Sequence, residues 1–163
     1  MGVEIERKYL LNIEKWNAVA KPTPRHLVQG YILKDPERTV RVRVADEQGY
    51  ITIKSKTTGI SRLEYEYGIP VTDARELITH FCGMVITKNR YNVQYAGKLW
   101  EVDEFLTDNK GLFIAEIELK HETETFDLPD WVGEEVTSIK KYFNSNLSVK
   151  PYSTWSSGEE KME

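Results

Sequence analysis

The chain has 163 residues, a charged fraction of 29%, a formal net charge of -4 and a single cysteine, Cys82. That length supports one domain with its own core, and one thiol excludes an intramolecular disulfide framework. The acidic balance excludes the general basic field that draws proteins to nucleic acid or anionic lipid, and with neither an apolar leader nor a long uncharged stretch the expectation is a cytoplasmic protein without membrane or nucleic-acid partners.

In chain order, the first strand is expected near 3–10, where Val3, Ile5 and Tyr9 alternate with Glu4, Glu6 and Lys8. Asn12 then caps a short helix carrying Ile13, Trp16 and Ala20. Four strands follow near 27–33, 39–45, 50–57 and 62–69, punctuated by Asp35-Pro36, Glu47-Gln48-Gly49 and Thr58-Gly59. Asp73 and Glu76 form a capping box ahead of Ala74, Leu77, Ile78 and Phe81, and Gly83 stops that helix. Strands near 85–95, 98–105 and 112–119 come next, separated by Ala96-Gly97 and Asn109-Lys110-Gly111. Thr137 caps a last helix containing Ile139, Tyr142, Phe143 and Leu147, and a polar tail from 153 to 163 is expected to be disordered because it offers little to bury. These boundaries make residues 1–152 a single domain with eight strands, enough for a closed antiparallel barrel.

An ordinary half-buried strand carries mixed polar residues on its wet face. Here the polar faces are charged, and most strands carry one sign: Glu4 and Glu6 ahead of Lys8, Arg41 and Arg43, Lys54 and Lys56, Glu64 and Glu66 behind Arg62, Lys88 and Arg90, Glu101 and Asp103, Glu116 and Glu118. Like charges at i and i+2 share a face and repel. A solvated outer face explains any one pair, but the recurrence points inward, to a barrel whose lumen is charged and whose apolar faces are covered from outside by helices. Buried charge must be neutralised. Carboxylate pairs on the first and last strands suit a hard cation such as Mg²⁺ or Mn²⁺, and arginines and lysines on several strands suit phosphate oxygens, so a metal–polyphosphate ligand satisfies both halves.

Glu4-Ile5-Glu6-Arg7-Lys8 resembles the N-terminal Glu-x-Glu-x-Lys signature of the triphosphate tunnel metalloenzymes, the CYTH superfamily. The resemblance continues in order through Gln29-Gly30-Tyr31, Arg41-x-Arg43, Thr52-x-Lys54, Glu64-x-Glu66, Lys88-x-Arg90, Glu101-x-Asp103, Glu116-x-Glu118 and Gly133-Glu134-Glu135-Val136-Thr137, with Tyr142 and Asn144 beyond. It implies an eight-stranded antiparallel tunnel with helices packed outside and the C-terminal helix near one mouth. It also implies metal-dependent hydrolysis of a small-molecule triphosphate, with Glu4, Glu6, Glu116 and Glu118 on Mg²⁺ or Mn²⁺, and Lys8 joining them in the catalytic set. Lys8, Arg41, Arg43, Lys54, Lys88 and Arg90 are expected to hold phosphate oxygens.

Glu64, Glu66, Glu101 and Asp103 are open between a second metal, orienting water and pairing with neighbouring bases. Lys56 and Arg62 are placed near a rim, and Lys140 and Lys141 near a mouth. Because phosphate ligands are abundant and no base-reading motif is present, inorganic tripolyphosphate is the expected substrate. Nucleoside or thiamine triphosphate hydrolysis, cyclisation of ATP as in class IV adenylate cyclases, and a non-catalytic polyphosphate-binding module are the alternatives. Oligomeric state is left open, a homodimer among the possibilities.

Overall fold

Alternation along the strands is realised as expected in the computed structural model, which describes residues 2–155; Met1 and residues 156–163 lie outside the described residues. Eight strands, β1 (Gly2–Leu11), β2 (Arg25–Asp35), β3 (Arg38–Ala45), β4 (Gln48–Ser55), β5 (Ser61–Ile69), β6 (Ile86–Tyr95), β7 (Lys98–Phe105) and β8 (Phe113–Glu118), pair antiparallel in the order β5-β4-β3-β2-β6-β7-β8-β1. Pairing of β1 with β5, Val3 opposite Leu63 and Glu4 opposite Arg62, closes the barrel. A ninth strand, β9 (Val132–Glu135), joins outside the ring on the far half of β1, with Tyr9 opposite Glu135.

Two helices cover parts of the outer wall. α1 (Ile13–Asn17) is capped by Asn12, whose side chain accepts from the Lys15 amide, and it buries only Trp16; Ala20 falls beyond it. Trp16 packs edge-on against Trp131 and Tyr91, and with Tyr9, Trp100, Val102 and Ile117 forms one apolar layer. α2 (Val71–Phe81) lies over Val42 and Val44 through Ala74. Its approach depends on glycine: a Cβ on Gly49 would stand 2.8 Å from the Ala74 Cβ, and one on Gly30 would stand 2.6 Å from the Cys82 Cβ. The capping box expected at Asp73 and Glu76 does not form. Pro70, whose fixed φ suits a helix entrance, accepts from the Ala74 amide, so the helix starts at Val71 and Asp73 lies inside its first turn.

The last expected helix is also broken. Thr137 accepts through its hydroxyl from the Lys8 amide, which ties this segment to β1 rather than capping a helix. A 3-10 turn over Lys140–Tyr142, extended Phe143 and a one-turn helix α3 (Asn144–Leu147) follow. The break lets Tyr142 and Leu147 both turn inward, where they meet Val136, Ile86, Phe105, Leu112 and Ile114 in an apolar plug across one end of the barrel. Ser153 and Thr154 continue a further 3-10 turn, and Trp155 packs edge-on against Tyr142 and Tyr152. Folded structure therefore passes the boundary expected at 152. Among the described residues no helix is long and apolar enough to cross a membrane.

Candidate functional site

Because apolar side chains take the outer face of the strands except where Ile86, Phe105 and Ile114 meet the plug, the charged ones converge on a lumen of about 190 Å³. Its walls include Lys8, Arg41, Arg43, Lys54, Arg62, Lys88 and Arg90, and against those seven cations stand seven carboxylates: Glu4, Glu6, Glu64, Glu66, Glu101, Glu116 and Glu118. Asp103 sits just behind the wall. Every catalytic, metal and phosphate residue expected from the sequence lies here. Lys56 does not, being exposed and facing Glu37 across 3.8 Å, nor does Lys141, whose ammonium lies 4.5 Å from the Trp155 ring centroid. Lys140 lines a side chamber of about 160 Å³ that shares Glu4, Glu6, Lys8, Arg62 and Phe143 with the lumen.

Much of the charge is paired within the barrel. Lys8 donates to Glu116 at 2.6 Å and to Glu6 at 2.8 Å, and although burial opposes its charge, those two carboxylates hold its pKa above the usual lysine value. Lys54 and Arg62 both donate to Glu4, at 3.1 and 3.0 Å; burial would raise the Glu4 pKa, and Lys54, Arg62 and Lys8 together hold it far below the ordinary range. Asp103 accepts from Lys88 at 2.7 Å and from Arg90 at 2.8 and 2.9 Å, so it works as a buried anchor for two cations.

The remainder is unmatched or only partly matched, and it separates by sign. Arg43 donates to the Gln29 amide oxygen at 2.8 Å and meets no carboxylate among the described residues; burial, then Arg41 and Arg90, push its pKa down to about 9. Arg41 donates through Nη2 to Thr52 at 3.1 Å and to Glu66 at 3.4 Å, while its buried Nε has no acceptor among the described residues. Lys88, buried at 1% exposure, falls to about 7, chiefly through burial, with Asp103 opposing and Arg90 and Arg43 adding to the fall. On the acidic side, Glu118 meets no cation among the described residues, and burial followed by Glu4, Glu64, Glu6 and Glu101 raises its pKa. Carboxylates also face each other directly across strands, Glu6 opposite Glu118 and Glu101 opposite Glu116, an arrangement that costs stability unless a cation lies between.

These donors are all hard carboxylate oxygens, which suits a divalent ion of the magnesium type. No three acidic, histidine or cysteine side chains among the described residues already converge as a metal cage; Glu4 and Glu116 are turned to lysine and arginine instead. The unpaired Glu118 and its acidic neighbours fit a cation by chemistry, and the unmatched Arg43 with the unpartnered Nε of Arg41 fits an anion.

The plug contributes residues that alternation did not single out for the site. Asn144 Oδ1 accepts from Lys88 at 2.8 Å and from Gln29 at 3.4 Å, so α3 is tied to both deep cations, Lys88 directly and Arg43 through Gln29. Phe143, Ser145, Tyr31 and Thr39 complete the lining. Tyr31 and Asn144 were visible only as members of the motif series, and the α3 contribution has no local signal because it depends on the broken helix.

A family model described as the CYTH domain matches residues 2–152. An inorganic triphosphatase of Acetivibrio thermocellus is 50% identical over 153 residues, 93% of this chain and 97% of that protein. Another, from Nitrosomonas europaea, is 34% identical over 90% of this chain and 97% of its own length. A crystal structure of an inorganic triphosphatase superposes with a TM-score of 0.62 at 31% identity, covering 89% of this chain and 97% of the other.

Proposed function

The chain belongs to the CYTH domain family, and from that premise we propose that its lumen hydrolyses inorganic triphosphate to pyrophosphate and orthophosphate. The observation that carries this reading is the separation of unmatched charge among the described residues: Arg43 lacks an anion, Arg41 keeps a buried Nε without an acceptor beside its contact to Glu66, and Glu118 lacks a cation. A linear triphosphate bound with a divalent metal supplies both. Half-identity to an inorganic triphosphatase over nearly the whole chain supports the same substrate.

Arg41, Arg43, Lys54, Lys88 and Arg90 bind and align the phosphate chain, the arginines through paired N–H groups and the lysines as point charges. Phosphoryl transfer needs alignment and charge stabilisation more than a protein nucleophile, and none is required: a water oxygen bonds to the terminal phosphorus, the bridging P–O bond breaks, pyrophosphate leaves with the electron pair, and one water proton is released to solvent while the other stays on the orthophosphate. Glu4, Glu6, Glu116 and Glu118 would hold Mg²⁺ or Mn²⁺, which when bound neutralises phosphate charge and polarises the attacked group. Lys8, held between Glu6 and Glu116, positions those carboxylates. The reaction is assigned to the cytoplasm, in keeping with the single thiol.

The test is kcat/KM for tripolyphosphate, ATP, GTP and thiamine triphosphate under one metal. Tripolyphosphate is expected to be turned over at least as efficiently as the rest. An advantage of about a hundredfold for one organic triphosphate, roughly 2.7 kcal/mol of differential transition-state binding, would overturn the inorganic reading. Cyclic AMP as the product from ATP would overturn hydrolysis itself.

A further inference from the structure

Cations of the lumen are held in two different ways. Lys8, Lys54, Arg62 and Arg90 each donate to a carboxylate, which fixes the base and offsets its charge. Arg43 is fixed by an amide instead: its Nε donates to Gln29 Oε1 at 2.8 Å, and an amide oxygen accepts a hydrogen bond while carrying no net charge. Gln29 is fully buried and stands behind the lumen wall, not in it, so it cannot touch a ligand there. Its orientation has one solution. Arginine and lysine only donate, so Gln29 turns Oε1 to Arg43 and Nε2 to Asn144, and Asn144 turns Oδ1 to Lys88 at 2.8 Å and to Gln29 at 3.4 Å. Three bonds thus join β2, β3, β6 and α3 at one point. With Nε committed to Gln29, neither Nη group of Arg43 has an acceptor among the described residues, and the side chain lines the lumen, so the open side of its fork faces the space a phosphate would fill.

On the premise that the lumen binds triphosphate, we propose that Gln29 is a positioning residue for that substrate, aiming Arg43 from behind the wall with Asn144 as its brace. A carboxylate in either place would hold the same cations and cancel the charge that the substrate needs. Space does not select the amide, since Asp103 already sets a carboxylate 2.7 Å from the same Lys88. Charge does. A second carboxylate at this end would leave Lys88 and Arg43 matched before any phosphate arrived, and the anion would then have to displace an ion pair that burial strengthens.

Two substitutions separate charge from aim. Gln29→Glu keeps the shape and the acceptor and adds a charge, whereas Gln29→Met keeps the charge balance and removes the acceptor. The measurements are tripolyphosphate affinity of the metal-free protein, the Tm of that protein, and kcat with Mg²⁺. Gln29→Glu should bind tripolyphosphate at least ~30-fold more weakly while its Tm holds level or rises, because Arg43 gains a carboxylate. A residue that served packing alone would lose affinity and Tm together, or neither. Gln29→Met should keep its affinity within ~5-fold and lose at least ~10-fold in kcat, because Arg43 keeps its charge and loses its aim. Wild-type affinity in Gln29→Glu, or a loss of affinity matched by a fall in Tm, overturns the proposal, as does an unaltered kcat in folded Gln29→Met. Should Gln29→Glu fail to fold, Asn144→Asp, which adds the same charge beside Lys88, is held to the same two outcomes. A wild type that neither binds nor hydrolyses tripolyphosphate overturns the proposed substrate and this role with it, a failure distinct from that of an active wild type whose variants match it.

Discussion

Lys88 shows how burial tunes a single charge. Its ammonium is fixed between Asp103 and Asn144, yet burial pulls its pKa to about 7, with Arg90 and Arg43 assisting. A base whose folded pKa lies below its usual value of 10.5 is largely neutral at pH 8, and a bound polyanion restores the charge it lacks. Binding should then take protons from the buffer. Titrating tripolyphosphate into metal-free protein at pH 8, in two buffers of different ionisation enthalpy, is expected to give heats that differ with the buffer, and Lys88→Met should remove most of that difference. Equal heats in both buffers would show that Lys88 is already charged before the ligand arrives. The residue's place in the lumen is legible from Lys88-x-Arg90, whereas its partner Asn144 shows only as a member of the motif series, since nothing near Asn144 in sequence signals a turn into the barrel.

At the scale of elements, the strands were readable because each carries two incompatible faces, and period-two alternation leaves one choice of register. β9 escaped because Gly133, Glu134 and Glu135 alternate with nothing apolar. The terminal helix was over-read for a related reason: Ile139, Tyr142, Phe143 and Leu147 have helical spacing, but tertiary packing into the plug and the tie from Thr137 to β1 outweigh a weak helical preference. α2 was found, though its start was misplaced, since Pro70 ends β5 and opens the helix in one step. Its seating on the sheet depends on Gly49. In Gly49→Ala the new Cβ would meet the Ala74 Cβ at 2.8 Å and the Ile69 carbonyl at 2.9 Å, an overpacking that should cost about 1–3 kcal/mol. Thermal denaturation is expected to show a Tm lower by several degrees, with turnover of the folded protein unchanged because the clash lies outside the barrel. An unaltered Tm would mean that α2 shifts freely on the sheet.

For the whole molecule, barrel closure makes the charge pattern chemically useful. Seven cations and seven carboxylates in one lumen could cancel pair by pair, and such a lumen would be inert. They do not cancel: Lys8, Arg41, Lys54, Arg62, Lys88 and Arg90 hold carboxylates, while Arg43 and Glu118 are left over, with opposite signs, among the described residues. The sequence displayed the full set of charges, but which of them stay unmatched depends on side-chain geometry across strands far apart in the chain. The most direct measurement is orthophosphate release from tripolyphosphate with Mg²⁺, comparing wild type with Arg43→Met and Glu118→Gln. Both variants remove an unmatched charge and break no ion pair, so both should fold, and each is predicted to lose at least ~100-fold in kcat/KM, about 2.7 kcal/mol of transition-state stabilisation. Near wild-type turnover in both folded variants would contradict the assignment of this lumen as the site where triphosphate and metal meet.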